Sequence, residues 1–246
     1  MNQTVETILN HRSIRKFKDE PVTKEQIHTI IKAARQASTS SNVMAYTIIG
    51  ITDTSLKEEL YKVSGHLHVK NNAHLFIFCG DLNRINQLAD DTVSIEDNLE
   101  STEQFIVATI DAALAAQNAT IAAESMGLGI CYIGSLRNDI NRVNELLELP
   151  QHVLPLFGLV VGHPDHQPDI KPRLPLEAVY HENKYLPFQE QQKFIEAYDN
   201  EIEQYYQTRS SNTKIDTWTD QMIRKFSQPT RMDVSPFVKQ KGLNKK

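Results

Sequence analysis

A chain of 246 residues is long enough for one large domain or two small ones. With 40% hydrophobic and 23% charged residues it has a globular composition, which excludes a disordered chain or a fibre. A formal net charge of −5 argues against a general nucleic-acid binder, although it leaves room for a local basic patch. Apolar runs are short, none approaching the roughly 18 residues of a membrane span. The polar N-terminal stretch carries Glu6 early and shows no secretory signal. Cys79 and Cys131 each sit in an apolar, strand-like run, so free buried thiols in a reducing compartment are expected rather than a disulfide, and the cytoplasm is the expected location.

In chain order, Val5, Ile8 and Leu9 form a helical stripe that should end at the basic stretch His11-Arg12-Ser13-Ile14-Arg15. Thr23-Lys24-Glu25-Gln26 reads as a capping box opening a helix to Ala37, with Ile27, Ile30, Ile31 and Ala34 on one face. Tyr46 to Ile51 is a β-branched strand, Leu56 to Val63 a brief helix ended by Gly65, and His74 to Gly80 a strand buried on both faces. Leu82 to Asp97 is polar and loosely amphipathic and reads as a rim helix. The longest helical pattern runs from Thr102 to Met126, thinned on several faces by Ala108, Ala112, Ala113, Ala115, Ala116, Ala119, Ala122 and Ala123. A helix that slim suits the middle of a domain or close approach by a second subunit. Gly127 and Gly129 end it. Ile130 to Ser135 is a strand, Asn138 to Leu149 a helix and Leu156 to Gly162 a strand. Asp165 to Pro175 is a loop, and Phe188 to Tyr206 a charged helix. Beyond it lies a polar, basic tail with Arg209, Lys214, Trp218, Arg224, Lys225 and Arg231, on which Trp218 should act as an anchor. Helices outnumber strands without regular alternation, so the fold class is α+β.

Few motifs carry chemistry alone. No glycine-rich dinucleotide turn, Walker loop, nucleophile elbow or His-Glu-x-x-His appears. His66-x-His68 near His74 invites a zinc reading, since alternate strand residues share a face, but a third ligand is missing and no metal is expected. The basic pentad suits a phosphate through paired guanidinium donors; its plainer reading is cationic decoration of a helix C-terminus. The hydroxyl loop Ser38-Thr39-Ser40-Ser41 either satisfies itself or lines a polar ligand. Lys171-Pro172-Arg173 is a second basic cluster, held stiff by its proline.

Taken together, these stretches resemble the nitroreductase family of flavin enzymes. The resemblance rests on His11 to Phe17, Ala122 to Gly129, Tyr132 to Asn138, Leu149-Pro150, Gly158 to Pro164, Lys171 to Pro175, Tyr205-Tyr206 through Arg209, and Asp216-Thr217-Trp218. It covers nearly the whole chain and is to the NADPH-preferring branch, the oxygen-insensitive nitroreductases and NADPH:flavin oxidoreductases. It implies a central, mostly antiparallel sheet flanked by helices in an interlocked homodimer. Residues 1–246 would form one FMN-dependent domain, with about 188–246 packing on the body or the partner subunit.

Carried over residue by residue, the resemblance places His11, Arg12, Ser13 and Arg15 against FMN, with Lys171 and Arg173 on its phosphate. Ser38, Thr39, Ser40, Ser41, His66, His68, Tyr132, Ile133, Gly134 and Ser135 would line the cofactor, while Arg209 and Lys214 would bind NADPH. Relatives often carry Gln and Tyr at the positions of His66 and His68, a glycine at Ser135 and an arginine at Lys214. The implied activity is ping-pong hydride transfer from NADPH through flavin N5 to nitroaromatics, quinones or free flavin, with disulfides as further acceptors. The partners are small electron acceptors, not nucleic acid or membrane, and no obligatory protein acid or base is implied. A flavin-binding redox sensor, or a non-redox member of the same fold, is the alternative.

Overall fold

The N-terminal helix α1 (Gln3–Leu9) stops short of the basic stretch that follows it, in a computed structural model that describes residues 1–90 and 92–246. Helix α2 (Lys24–Ala34) opens with the expected reciprocal cap: the Thr23 hydroxyl accepts from Gln26 N–H and the Gln26 side chain accepts from Thr23 N–H. It ends at Ala34 rather than Ala37. Strand β1 (Tyr46–Ile51), helix α3 (Thr54–Ser64) and strand β2 (His74–Asp81) fall where the residue pattern put them.

The single rim helix expected over 82–97 is instead two short ones, α4 (Asn83–Leu88) and α5 (Glu96–Leu99). Between them the Asp90 carboxylate accepts bonds from the Thr92 N–H and hydroxyl, a local arrangement that competes with helix. Asp91, also within the expected span, lies outside the described residues.

Helix α6 (Thr102–Ser125) leads into β3 (Gly129–Ile133), which ends two residues before Ser135 because Gly134–Asp139 coil into a 3-10 turn. Helix α7 (Ile140–Leu146) is shorter than expected at both ends. Strand β4 (Val153–Gly162) begins three residues early, and the pairing with β2 slips between Phe78 and Cys79, a bulge that accommodates Pro155. Three more helices follow, α8 (Leu176–Val179), α9 (Phe188–Thr208) and α10 (Trp218–Phe226), then α11 (Val234–Gln240). The polar tail is thus partly helical.

Two compact units result: Met1–His166 with Arg231–Lys246, and Gln167–Thr230. The first is built on a four-stranded antiparallel sheet in the order β1-β2-β4-β3, the α+β arrangement expected. Alternation along β2 decides its two faces. Phe76 and Phe78 point to the side covered by α2 and α6, where they meet Ile30, Ala115, Ala119 and Leu159. Leu75, Ile77 and Cys79 point to the side of α3 and α7, among Leu60, Ile133 and Val143. A third cluster joins the start of α6 to Phe237, Val238 and Leu243 around α11. There the Lys246 carbonyl accepts from Thr102 N–H at 2.8 Å, satisfying an otherwise free donor at the start of α6.

Helix α6 has the length and apolar content of a membrane span, which the count of short apolar runs did not anticipate. Its alanine face is nevertheless core: Ala112, Ala115, Ala116, Ala119 and Ala123 are fully buried. In the second unit, Tyr198, Ile202 and Tyr206 of α9 form the core. Trp218 stands edge-on to Tyr198 with ring centroids 6.1 Å apart, and so anchors α10 to α9.

Two glycines set where the N-terminal segment runs. Gly129 and Gly162 face each other across β3 and β4. A Cβ on Gly129 would lie 2.7 Å from Ile14 Cγ1, and one on Gly162 would lie 2.8 Å from the Phe17 ring. Gly129→Ala should therefore destabilise the protein by about 1–3 kcal/mol through overpacking against Ile14. A lowered thermal midpoint relative to wild type is the expected result; an unchanged midpoint would show that the segment is not seated on this glycine.

Candidate functional site

Past α1 the chain runs extended beside β3. Ile14 N–H donates to the Ile130 carbonyl at 2.8 Å, and Ser13 bridges Ile130 in parallel. No basic residue occupies the last turn of α1, so the reading of Arg12 and Arg15 as decoration of a helix end is corrected. His11 turns its ring to Glu124 at the end of α6, with Nδ1 2.6 Å from Oε1. Arg12 donates from Nη1 to the Asn10 carbonyl, while its Nε is buried without a partner.

Arg15 lies where three elements converge. Its charge reaches the imidazole of His68 and the thiol of Cys131 on β3. His66 and His68 stand on a 3-10 turn rather than a strand, and their rings stack at 5.3 Å and 16°. Stacked rings do not converge on a shared ion, and among the described residues no three His, Cys, Asp or Glu side chains are grouped to hold a metal. Burial, then the charges of His66 and Arg15, push His68 down to about 4, so at neutral pH it is an uncharged hydrogen-bonding ring. Burial pushes the Cys131 thiol up, against the Arg15 charge and the Ser13 hydroxyl.

Further along β3, the Thr120 hydroxyl of α6 donates to the Tyr132 hydroxyl at 2.9 Å. Ile133 is buried, and Gly134 and Ser135 open the 3-10 turn. The Ser135 Oγ is buried with no partner. Ser38, Thr39, Ser40 and Ser41 belong to a loop held from α6. Asp111, fully buried, accepts from Ser40 N–H and Ala45 N–H, both at 3.0 Å. Ser41, Asn42 and Met44 all adopt positive φ (46°, 59° and 52°), a strained course that this carboxylate fixes. Asp111 escaped the sequence reading; its signal was one acid in phase with the buried alanines of α6.

In the second unit Lys171, Arg209 and Lys214 gather over the ring of Tyr206, at 5.4, 4.7 and 4.3 Å from its centroid. Arg173 folds back onto the carbonyls of Lys171 and Pro172. Of the weaker tail cations, Arg224 pairs with Asp216, and Arg231, in the first unit, donates to the Asn138 side chain. Tyr206 was quoted for its motif alone, and nothing in its spacing marked it as a hub.

The donor set of the first unit suits an anionic, planar, hydrogen-bonding group. Arg12 Nε and Ser135 Oγ are polar atoms left over by the fold, and Arg15 is an exposed guanidinium. Known proteins agree with that chemistry. Residues 8–163 match the profile of the nitroreductase family and residues 171–246 that of the nitroreductase family, C-terminal domain. The chain belongs to the nitroreductase family. It is 51% identical to an FMN reductase (NADPH) of Bacillus subtilis, over 100% of both chains. It is 46% identical to an oxygen-insensitive NADPH nitroreductase of Salmonella typhimurium, over 98% of both. The solved NfrA1 nitroreductase of B. subtilis superposes with a TM-score of 0.95 at 50% identity, covering 99% of this chain and 100% of that one.

Within this nitroreductase, His68 and His74 also set a pH response. Burial and the Lys57 charge hold His74 down to about 4 as well, and both rings are under a tenth exposed. Between pH 6.5 and about 4 the unfolded chain binds protons at these rings that the folded chain does not. Unfolding free energy should therefore fall as pH drops through that window, by at most about 1.4 kcal/mol per pH unit per ring. Urea unfolding at pH 7, 5.5 and 4.5 should show this fall, and His74→Gln should flatten it; an equally steep variant would remove His74 from the account.

Proposed function

We propose that this chain is an FMN-dependent NADPH oxidoreductase that reduces nitroaromatics, quinones or free flavin. The observation that carries the proposal is the exposed Arg15 guanidinium, whose charge reaches the buried His68 and Cys131 beside the bridge of Ser13 to Ile130. Arg12, Ser13 and Arg15 bind the phosphorylated cofactor. Tyr132, Ile133, Gly134 and Ser135 line its ring system largely through backbone, with Ser38, Thr39, Ser40 and Ser41 beside it. His11 acts through Glu124, which fixes its ring at the entry to the segment. His66 and His68 line the cofactor, His68 as an uncharged ring. Arg209 and Lys214 bind the 2′-phosphate of NADPH.

When bound, FMN supplies hydride acceptance from NADPH and delivery to the acceptor in alternating half-reactions. The chain's own task is to bind, orient and polarise. Fixed positive charge or a hydrogen-bond donor beside a developing anion stabilises it without reorganisation.

The functional unit in this proposal is a cytoplasmic homodimer. Ile106, Ile110 and Leu114 form an exposed stripe at four-residue spacing on α6. Val5, Ile8 and Leu9 of α1, which packs on α6, are exposed as well. Apolar side chains gathered in this way on neighbouring helices favour cover by a second copy.

Purified protein should be yellow and should oxidise NADPH when nitrofurazone or a quinone is added. Protein that stays colourless after incubation with FMN would sink the proposal. Arg15→Ala should weaken FMN binding about 10- to 100-fold, the cost of losing a charge-assisted hydrogen bond. Fluorescence titration of the apoprotein with FMN reads this directly, and an unchanged dissociation constant would remove Arg15 from the phosphate.

A further inference from the structure

Tyr206 sits at the centre of the second unit's positive charge. Its ring is buried, with 3% of the residue exposed, while Lys171 and Lys214 are exposed and Arg209 is half-buried. Three cations on one aromatic ring is a costly grouping, because like charges repel and each interacts with the ring only modestly. Partial compensation is present. Asp216 accepts from Lys214 Nζ at 2.7 Å and also pairs with Arg224, and the Asn212 carbonyl accepts from the Arg209 guanidinium. The phenol itself responds to the field. Burial raises it, but hydrogen bonds with Lys171 and Gln221 and the charges of Lys171 and Lys214 outweigh burial, and its pKa is lowered overall.

Placed this way, the ring acts as a floor. A planar π-face gathers guanidinium and ammonium heads within about 5 Å of one ring although only part of their charge is met by Asp216. The surplus positive charge suits a dianionic phosphate monoester rather than a hydroxyl.

We propose that Tyr206 is a positioning residue for cofactor selectivity: its buried ring organises Arg209 and Lys214 into one receptor for the 2′-phosphate of NADPH. The inference rests on the proposed NADPH chemistry and adds to it the residue on which discrimination against NADH depends.

Tyr206→Phe and Tyr206→Leu separate ring from hydroxyl. In FMN-loaded enzyme, Tyr206→Phe should keep the wild-type ratio of KM values for NADPH and NADH. Tyr206→Leu should raise KM for NADPH about tenfold while leaving KM for NADH within about twofold, since only the phosphate-binding contribution is lost. Calorimetry should show the same split without turnover: Tyr206→Leu loses the preference of wild type for adenosine 2′,5′-bisphosphate over adenosine 5′-monophosphate. Equal KM ratios in Tyr206→Leu and wild type would overturn the inference while leaving the oxidoreductase reading intact, whereas wild-type protein that oxidises no NADPH would overturn that reading itself. If Tyr206→Leu does not fold, the double-mutant cycle of Arg209→Ala with Lys214→Ala decides. Coupled losses in bisphosphate binding support one receptor, and strictly additive losses refute it.

Discussion

The passage of the N-terminal segment over the paired glycines Gly129 and Gly162 is the constraint on which the first unit's site depends. Ile14 and Phe17 can lie against the ends of β3 and β4 only because no Cβ stands in the way at either glycine. Ile14 is buried at 6% exposure, so the apolar residue of the pentad is spent on the sheet while its neighbours Ser13 and Arg15 are turned elsewhere. Backbone bonds from Ile14 to Ile130, and from Lys18 to His163, tie the segment at both ends. Arg12 donates to the Asn10 carbonyl, and Arg15 is left exposed beside the seated Ile14.

The loop from Ser38 to Ala45 obeys a different constraint. Three non-glycine residues with positive φ make it unfavourable alone, and a buried carboxylate is itself costly to desolvate. The two costs offset each other because Asp111 accepts two backbone N–H bonds from the loop, and charge-assisted bonds of this kind are the stronger sort. Alanines at Ala108, Ala112 and Ala115 keep α6 thin enough for the loop to approach that carboxylate. Slenderness in α6 thus serves the site as well as the core.

These two devices were unequally legible. β2 was readable because Leu75 to Cys79 are apolar at every position, and α2 because Thr23 and Gln26 satisfy each other within four residues. Both are local signals. The span from Leu82 to Asp97 misled because its amphipathic pattern was weak enough for Asp90 and Thr92 to prefer bonding each other. α11 was invisible because only Phe237, Val238 and Leu243 mark it, and their burial depends on α6 and α7, far away in sequence. The strand end at Ile133 was missed for a similar reason: Gly134 and Ser135 pair with nothing and coil instead. At the site, Arg15 could be named from its motif, whereas Asp111 acts through Ser40 and Ala45, far away in sequence, and Tyr206 gathers Arg209 and Lys214 across the end of α9, where no helical spacing connects them.

What the first unit's site lacks follows from the same burial. A nucleophilic thiolate needs a low pKa, and burial drives Cys131 the other way. A general acid or base working near neutrality needs a pKa near 7, and His68 is held at about 4. Burial thus favours the uncharged ring of His68 at neutral pH. The remaining assets are permanent positive charge on Arg15, the uncharged ring of His68, and the backbone of β3. Such a set can hold and polarise a bound group but cannot attack a substrate, which is the division of labour expected where the reactive atom belongs to a cofactor.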